Sequence, residues 1–156
     1  MSLYNRKSAI EYAYKWWNKR NPRFYNFDKL GGDCTNFVSQ CLLYGGIEMQ
    51  IQSIGWHYLS LANRSPAWSG VNEFYSFLIT NNLKQGVKGR VCEVDEIEVG
   101  DVIQMDQGRG FFHHNLIVTN VEDRKNILIA CHSADAFDKS LNDYRYTRIR
   151  YLKILN

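Results

Sequence analysis

The spacing of apolar residues changes about halfway along the chain. In the first half, apolar residues recur every three or four positions, as they do on one face of an α-helix. From about residue 87 they form short β-branched runs separated by glycine-containing or charged turns, which is typical of antiparallel strands. The predicted helices lie in residues 5–20, 31–46 and 71–81, and the predicted strands are 99–105, 113–121, 127–132 and 146–152. Helices followed by strands predict an α+β fold, with the helices packed on an antiparallel sheet.

Residues 31–46 contain a short helix together with its start and stop signals. Asp33 follows two glycines and can cap the helix, and Gly45-Gly46 supplies a left-handed stop. Cys34 lies in the first turn, where the apolar face of the helix begins. The peptide dipoles at a helix N-terminus favour a thiolate, and the free N–H groups there can bind an oxyanion. The pattern by itself allows two interpretations of Cys34, a nucleophile or a buried structural cysteine. The structural interpretation is the commoner one, and the rest of the chain decides between them.

Composition narrows the class of protein. The chain has 156 residues, 45% of them hydrophobic and 14% aromatic, which fits one globular domain over residues 1–156. The formal charge of +3 is spread along the chain, so no nucleic-acid surface is expected. The four cysteines show no CxxC spacing, which argues against a zinc ribbon or a redox motif and favours reduced thiols.

No run of the sequence has the length of a membrane span, and the first ten residues lack the apolar core of a signal peptide. The chain as written is therefore predicted to be cytoplasmic. If it is one part of a longer secreted protein, the alternative is the cell wall or the extracellular space.

The predicted strands bring histidines to one edge of the sheet. The charged turn at 122–126 joins two antiparallel strands, and pairing about this turn sets position 114 opposite roughly position 134. Either His113 or His114 can then lie beside His132, and strand alternation alone does not choose between them. Cysteine nucleophiles use an imidazole as base and a third polar group to orient it, so Cys34, one of this pair and His132 could form a triad.

The same residues allow a different chemistry. Thiolates and imidazoles are zinc ligands, so Cys34, His114 and His132, with Cys131, could instead hold a metal ion. The spacing of these residues matches no zinc motif, so the catalytic triad is the favoured interpretation. No metal or cofactor is expected.

The run Gly31–Gln40, read as GGDCTNFVSQ, resembles the signature of a bacterial amidase domain family, a branch of the papain-like cysteine peptidases related to the NlpC-type cell-wall hydrolases. The resemblance covers nearly the whole chain, and Asp-Cys-Thr-Asn-Phe is its most specific part. Further segments similar to the family pattern are Tyr12-Ala13, Trp17, Asn21-Pro22, Phe27, Trp68, Gly100–Gln104, His114–Thr119 and His132.

This resemblance implies a papain-like fold, with helices that carry the nucleophile packed on a sheet or small half-barrel. It also implies Cys34 as nucleophile, His114 rather than His113 as base and His132 as the orienting residue. The implied reaction is hydrolysis of an amide or peptide bond through an acyl-enzyme, with cell-wall peptide as the substrate class. The predicted partner is a peptide or amide substrate such as a peptidoglycan fragment, and the chain is predicted to be a monomer.

Four further residues are candidates for binding an oxyanion or substrate. Asp33 adjoins the nucleophile, Tyr25 precedes its helix, and Trp56 and Trp68 lie in an aromatic loop. A non-catalytic peptide- or glycan-binding module is the alternative function, and in that case Trp56, Tyr58 and Trp68 would line its groove.

Overall fold

The computed structural model describes residues 3–52 and 54–156. Its α-helices are α1 (Arg6–Trp16), α2 (Cys34–Tyr44), α3 (Pro66–Ser69) and α4 (Val71–Thr80). Its strands are β1 (Gly89–Cys92), β2 (Val102–Asp106), β3 (His114–Asp123), β4 (Asn126–Cys131), β5 (Ala136–Ser140) and β6 (Arg148–Ile154). Short 3-10 helices occupy Val94–Glu96 and Leu141–Asp143. The predicted α+β class, with helices first and an antiparallel sheet second, is confirmed.

Several elements differ from those predicted. Helix α1 ends at Trp16 rather than near residue 20, and the main-chain carbonyl of Trp16 accepts a hydrogen bond from His132. The short helix α3 and the strands β1 and β5 were not predicted. Strand β1 has only four residues, and β5 (AFDKS) is largely polar, so neither carries a clear apolar signal.

The six strands form one antiparallel sheet in the order β1-β6-β2-β3-β4-β5. Strands β2 to β5 are a meander, and β6 returns to lie between β1 and β2. In the pairing of β3 with β4, Ile117 lies opposite Ala130 and Val118 opposite Ile129, with a bulge after Val118. The connection predicted at 122–126 is therefore a tight hairpin between these strands.

The two faces of the sheet bury separate cores. On one face, strand residues such as Val102, Ile117 and Ala130 pack with side chains of α1, α2, α3 and α4. On the other face, Ile103 and Leu116 pack with residues from the strands and the 3-10 segments, and no described α-helix contributes to that core. Alternate residues of the same strand thus enter different cores, as strand geometry requires.

Helix α2 is the central helix of the fold. Nine of its eleven residues, Cys34 through Leu42, are buried. It contacts α1, α3 and β3, so polar and apolar positions alike are enclosed. Gly46, just past its end, has φ +96°, which supplies the predicted left-handed stop.

A buried carboxylate ties the first helix to the last strand. Asp101 is fully buried and accepts from the guanidinium of Arg6 at 2.7 Å and the ammonium of Lys153 at 3.0 Å. Its two oxygens also accept main-chain N–H bonds from Ile154 and Glu98, each at 3.0 Å. The carboxylate is thus saturated with donors, which offsets the cost of burying its charge.

We expect Asp101→Asn to lower the free energy of unfolding by about 3 kcal/mol, because it removes the buried carboxylate that two cations share and leaves them only the exposed carboxylate of Glu98. Urea unfolding at neutral pH measures this. Glu96→Gln is the matched control, since its ion pair with Arg90 is exposed on both sides and should contribute little. Equal midpoints for the two variants would contradict the expectation.

Candidate active site

Cys34 is the first residue of α2 and packs against the start of β3. Its side chain is almost buried, with 6% exposed. The sulfur lies 3.8 Å from the carbonyl oxygen of His113, and the main-chain N–H of Asn115 donates to it. These two groups belong to the peptide units on either side of His114. The fold therefore joins Cys34 to the strand at His114.

A short polar chain also reaches the sulfur. The hydroxyl oxygen of Thr35 lies 3.8 Å from the Cys34 sulfur. The side-chain amide of Asn115 donates to that same hydroxyl at 3.4 Å. Because Thr35 accepts from the amide, its own proton is free to point toward the sulfur.

The protonation state of Cys34 differs from the sequence expectation. Burial raises the pKa of the Cys34 thiol above its ordinary value, and the hydrogen bonds from Asn115 and Thr35 only partly oppose this. The helix N-terminus was predicted to favour a thiolate. Exclusion of water outweighs that effect, so the resting group at neutral pH is a thiol.

His114 begins β3 and is buried opposite Met105. Burial lowers the pKa of His114 to about 4, together with repulsion from Arg109 and, where it is protonated, from His113. Its ring centroid lies 6.3 Å from that of Tyr144, and no side chain in the described ranges hydrogen-bonds to its ring nitrogens. At neutral pH it is a neutral imidazole that can accept a proton.

His113 differs from His114 in its contacts. Its Nε2 atom accepts a hydrogen bond from the main-chain N–H of Gln107 at 3.0 Å. Its proton-accepting nitrogen is thus already engaged. The resemblance assigned the base to His114, and the free ring nitrogens of His114 are compatible with that role.

His132 does not contact His114. Its Nδ1 lies 2.5 Å from Oδ2 of Asp33, and its Nε2 lies 2.8 Å from the carbonyl oxygen of Trp16. Its ring stacks on Phe37 with centroids 3.9 Å apart. The prediction that His132 contacts and orients His114 is therefore wrong, because both ring nitrogens of His132 have other partners.

The alternation of side chains along the strands explains this separation. Ile117 and Ala130 pair directly and face the helices. Two positions further toward the edge, Asn115 and His132 share that face. His114 lies on the opposite face with Leu116, since it is one residue removed from Asn115. The sequence predicted that His114 and His132 lie at the same edge of the sheet. It did not predict that they lie on opposite faces.

Asp33 occupies the N-cap position of α2, but its side chain does not cap the helix. Instead, Oδ1 accepts from the main-chain N–H of Phe27 at 2.8 Å and from the amide of Asn36 at 2.9 Å. The main-chain N–H of Asp33 donates to the hydroxyl of Ser133 at 3.2 Å. The predicted capping role is replaced by contacts that join three separate segments.

The aromatic residues predicted to bind substrate are mostly in the core. Trp56 and Trp68 are fully buried with centroids 4.9 Å apart, and their indole N–H groups donate to Ser39 and Asn36. Tyr58 is also buried, and its hydroxyl accepts from the main-chain N–H of Tyr25. These rings therefore do not form the groove predicted for a binding module. Among the four candidates for substrate contact, Tyr25 alone is exposed, with 41% of the residue accessible to solvent.

Sequence reasoning missed the polar residues that hold the site together. Asn36 bridges Asp33, the carbonyl of Tyr25 and the indole of Trp68. Gln40 accepts from the hydroxyl of Tyr12 at 2.5 Å. The signal was present, since these amides lie on a helix that is apolar on one face and carries no charged residue. A helix without a charged face is expected to be largely buried, so its polar residues need internal partners.

Comparison with known proteins gives the family. The family model described as "Putative amidase domain" matches residues 3–154, and the chain belongs to this family. The family description indicates an amidase-type hydrolase. The chain is also 35% identical over 148 residues to the uncharacterized protein YhbB of Bacillus subtilis strain 168. This match covers 92% of the chain and 45% of the relative, so the chain spans less than half of that protein's length. No solved structure matches the chain.

Within residues 3–52 and 54–156, no helix has both the length and the apolar character needed to cross a membrane. Within the same ranges, no three His, Cys, Asp or Glu side chains are grouped to hold a metal ion.

We expect Thr35→Val to raise the pKa of Cys34 further, because it removes a hydrogen bond to the thiolate while keeping the side-chain shape. The pH dependence of iodoacetamide labelling, followed at Cys34 by mass spectrometry, measures this. Thr35→Ser keeps the hydroxyl and should leave the midpoint near that of the parent. A Val variant with the parental midpoint would show that the hydroxyl does not reach the sulfur.

The lowered pKa of His114 predicts loss of stability in acid. The pKa is about 4 in the folded chain against an ordinary value of 6.5, so the unfolded state binds more protons between these values. The contribution of neutral His114 is present above pH 6.5 and is lost as the pH falls to about 4. The lost free energy is ~3 kcal/mol.

Urea unfolding of the parent and of His114→Gln at a series of pH values measures this contribution. The difference in unfolding free energy between the two proteins should change by that amount across the interval, because glutamine does not titrate. A difference that is constant with pH would contradict the burial of a neutral imidazole.

Proposed function

We propose that this chain is a cysteine-dependent hydrolase of amide or peptide bonds, with Cys34 as nucleophile and His114 as general base and acid. The observation that carries the proposal is the contact of the Cys34 sulfur with both peptide units that flank His114. Membership of the amidase domain family supports the reaction class. The Cys–His pairing is the chemistry by which a thiol can perform such a reaction.

The reaction starts from a neutral pair. As the Cys34 sulfur attacks the amide carbonyl, His114 takes the thiol proton, and a tetrahedral intermediate forms. The main-chain N–H groups in the first turn of α2 stabilise its oxyanion. His114 then gives the proton to the leaving amine, the C–N bond breaks, and an acyl-thioester on Cys34 remains. Water, deprotonated by His114, hydrolyses the thioester and restores the thiol.

The protonation states support these roles. A raised pKa at Cys34 and a lowered pKa at His114 together disfavour a resting thiolate–imidazolium pair. The proton transfer is therefore coupled to attack on the substrate, as in a hydroxyl nucleophile assisted by histidine. A resting thiol is also protected from oxidation and alkylation when no substrate is present.

The substrate class follows from the resemblance and the family rather than from the pocket. Peptides of the bacterial cell wall are the first substrates to test, because the motif resembles that of cell-wall hydrolases. Such a reaction would take place outside the cytoplasm, in a longer protein that carries this domain.

Hydrolysis can be tested with soluble wall-derived muropeptides and a panel of peptide amides, with products followed by mass spectrometry. The parent chain should release an amine, and Cys34→Ala should lose at least 10³-fold of that activity. Rapid quenching should trap an acyl group on Cys34. Cys92→Ala is the matched control, since this residue lies in the other core, on β1.

Two outcomes would contradict the proposal. The first is hydrolysis by Cys34→Ala at the parental rate. The second is muropeptide binding without any hydrolysis by the parent, undiminished in Cys34→Ala, which would favour a binding module.

A further inference from the structure

We propose that His132 is a doubly protonated positioning residue that holds the start of α2 through Asp33, rather than the residue that orients the catalytic histidine. Only the expected effect of His132 on the reaction rests on the proposed function. The charge state of His132 can be established whether or not the chain is an enzyme.

Both partners of the His132 ring are hydrogen-bond acceptors. Nδ1 meets a carboxylate oxygen of Asp33, and Nε2 meets the main-chain carbonyl of Trp16. Neither carbonyl nor carboxylate oxygen can donate, and a neutral imidazole has only one N–H. Two hydrogen bonds to two acceptors require a proton on each nitrogen, which makes the ring an imidazolium.

The contacts of the Asp33 carboxylate are those of an anion. Its Oδ1 accepts from the main-chain N–H of Phe27 and the side-chain amide of Asn36. Arg20 approaches its Oδ2 at 3.6 Å. If Asp33 were instead a neutral carboxylic acid that donated a hydrogen bond to His132, these interactions would be weaker, because they favour the ionised carboxylate.

The charge balance around Asp33 and His132 also favours a positive His132. Arg20 also binds Asp28 and Asp135, each at 3.0 Å. Three carboxylates, including Asp33, therefore surround one guanidinium, and a neutral His132 would leave two negative charges uncompensated there. A positive His132 removes one of them. Phe37, which stacks on the ring, presents the negative face of its π system to the cation.

The consequence is a three-way joint beside the proposed nucleophile. His132 follows β4, Trp16 ends α1, and Asp33 directly precedes Cys34. Ser133, next to His132, has φ +63° and accepts a hydrogen bond from the main-chain N–H of Asp33. A non-glycine residue in this conformation needs support from its surroundings. The joint fixes the first turn of α2, and so the position of the sulfur and the oxyanion donors.

Nitrogen NMR of the uniformly ¹⁵N-labelled chain tests the charge state directly. At neutral pH, the ring of His132 should show two imidazolium-type nitrogens, each with its own slowly exchanging proton. His113 and His114 are internal references that should be neutral, because burial lowers the pKa of each. The signals are assigned by their loss in His132→Gln. A single protonated nitrogen on His132 would overturn the proposal.

Kinetics distinguish a positioning residue from one that orients His114. If His132 acts through Asp33, then His132→Gln and Asp33→Asn should each lower kcat/KM by about 10²-fold, and the double variant should lose little more. The acid limb of the pH–rate profile should stay unchanged in all three. A shift of that limb in His132→Gln alone would instead indicate direct action on His114, and the proposal would fail.

The two proposals can fail separately. If the chain hydrolyses nothing, the NMR signature of His132 still decides its charge state. If the NMR signature is absent but Cys34 is acylated, the hydrolase assignment stands without this role for His132.

Discussion

The buried carboxylate of Asp33 is the interaction on which the arrangement of the site depends. It is fully buried and receives bonds from the loop before α2, from the helix itself and from the residue after β4. A buried charge without partners would be too costly to keep, so every segment that supplies a donor is held in place. Because Asp33 directly precedes Cys34, the same bonds set where the sulfur lies relative to the sheet.

The polar residues of the Asp-Cys-Thr-Asn-Phe-Val-Ser-Gln run hold the site together through hydrogen bonds. Thr35 reaches the sulfur and Asn115, and Asn36 joins Asp33 to Trp68. Ser39 accepts from the indole of Trp56 and donates to the carbonyl of Trp68. The buried tryptophans predicted to bind substrate thus anchor the helix that carries the cysteine. Such a network is favourable only when nearly all of its members are satisfied, which explains why so specific a run of residues is needed.

Enclosure also sets the chemistry available to the proposed pair. Water exclusion keeps Cys34 a thiol and His114 a neutral imidazole, so the reactive state forms only when a substrate is attacked. The helix N-terminus acts here through its N–H groups, as hydrogen-bond donors close to the sulfur. Its dipole does not produce a resting thiolate. Such a site reacts slowly with small reagents and is selective for a substrate that can reach the sulfur.

The sequence by itself determined the fold class, the central helix with its start and stop, the cysteine at its first turn and the two strands that bring His114 and His132 to one edge of the sheet. Local periodicity and turn chemistry are sufficient for these features, because each depends on residues close together in the chain. It did not determine β1 and β5, whose apolar signals are weak. Only the tertiary structure decided that Trp56 and Trp68 are core residues, that Cys34 is a thiol, and that His132 pairs with Asp33 across 99 positions. Burial and the face on which a strand residue points arise from packing between distant segments, and no local pattern records them.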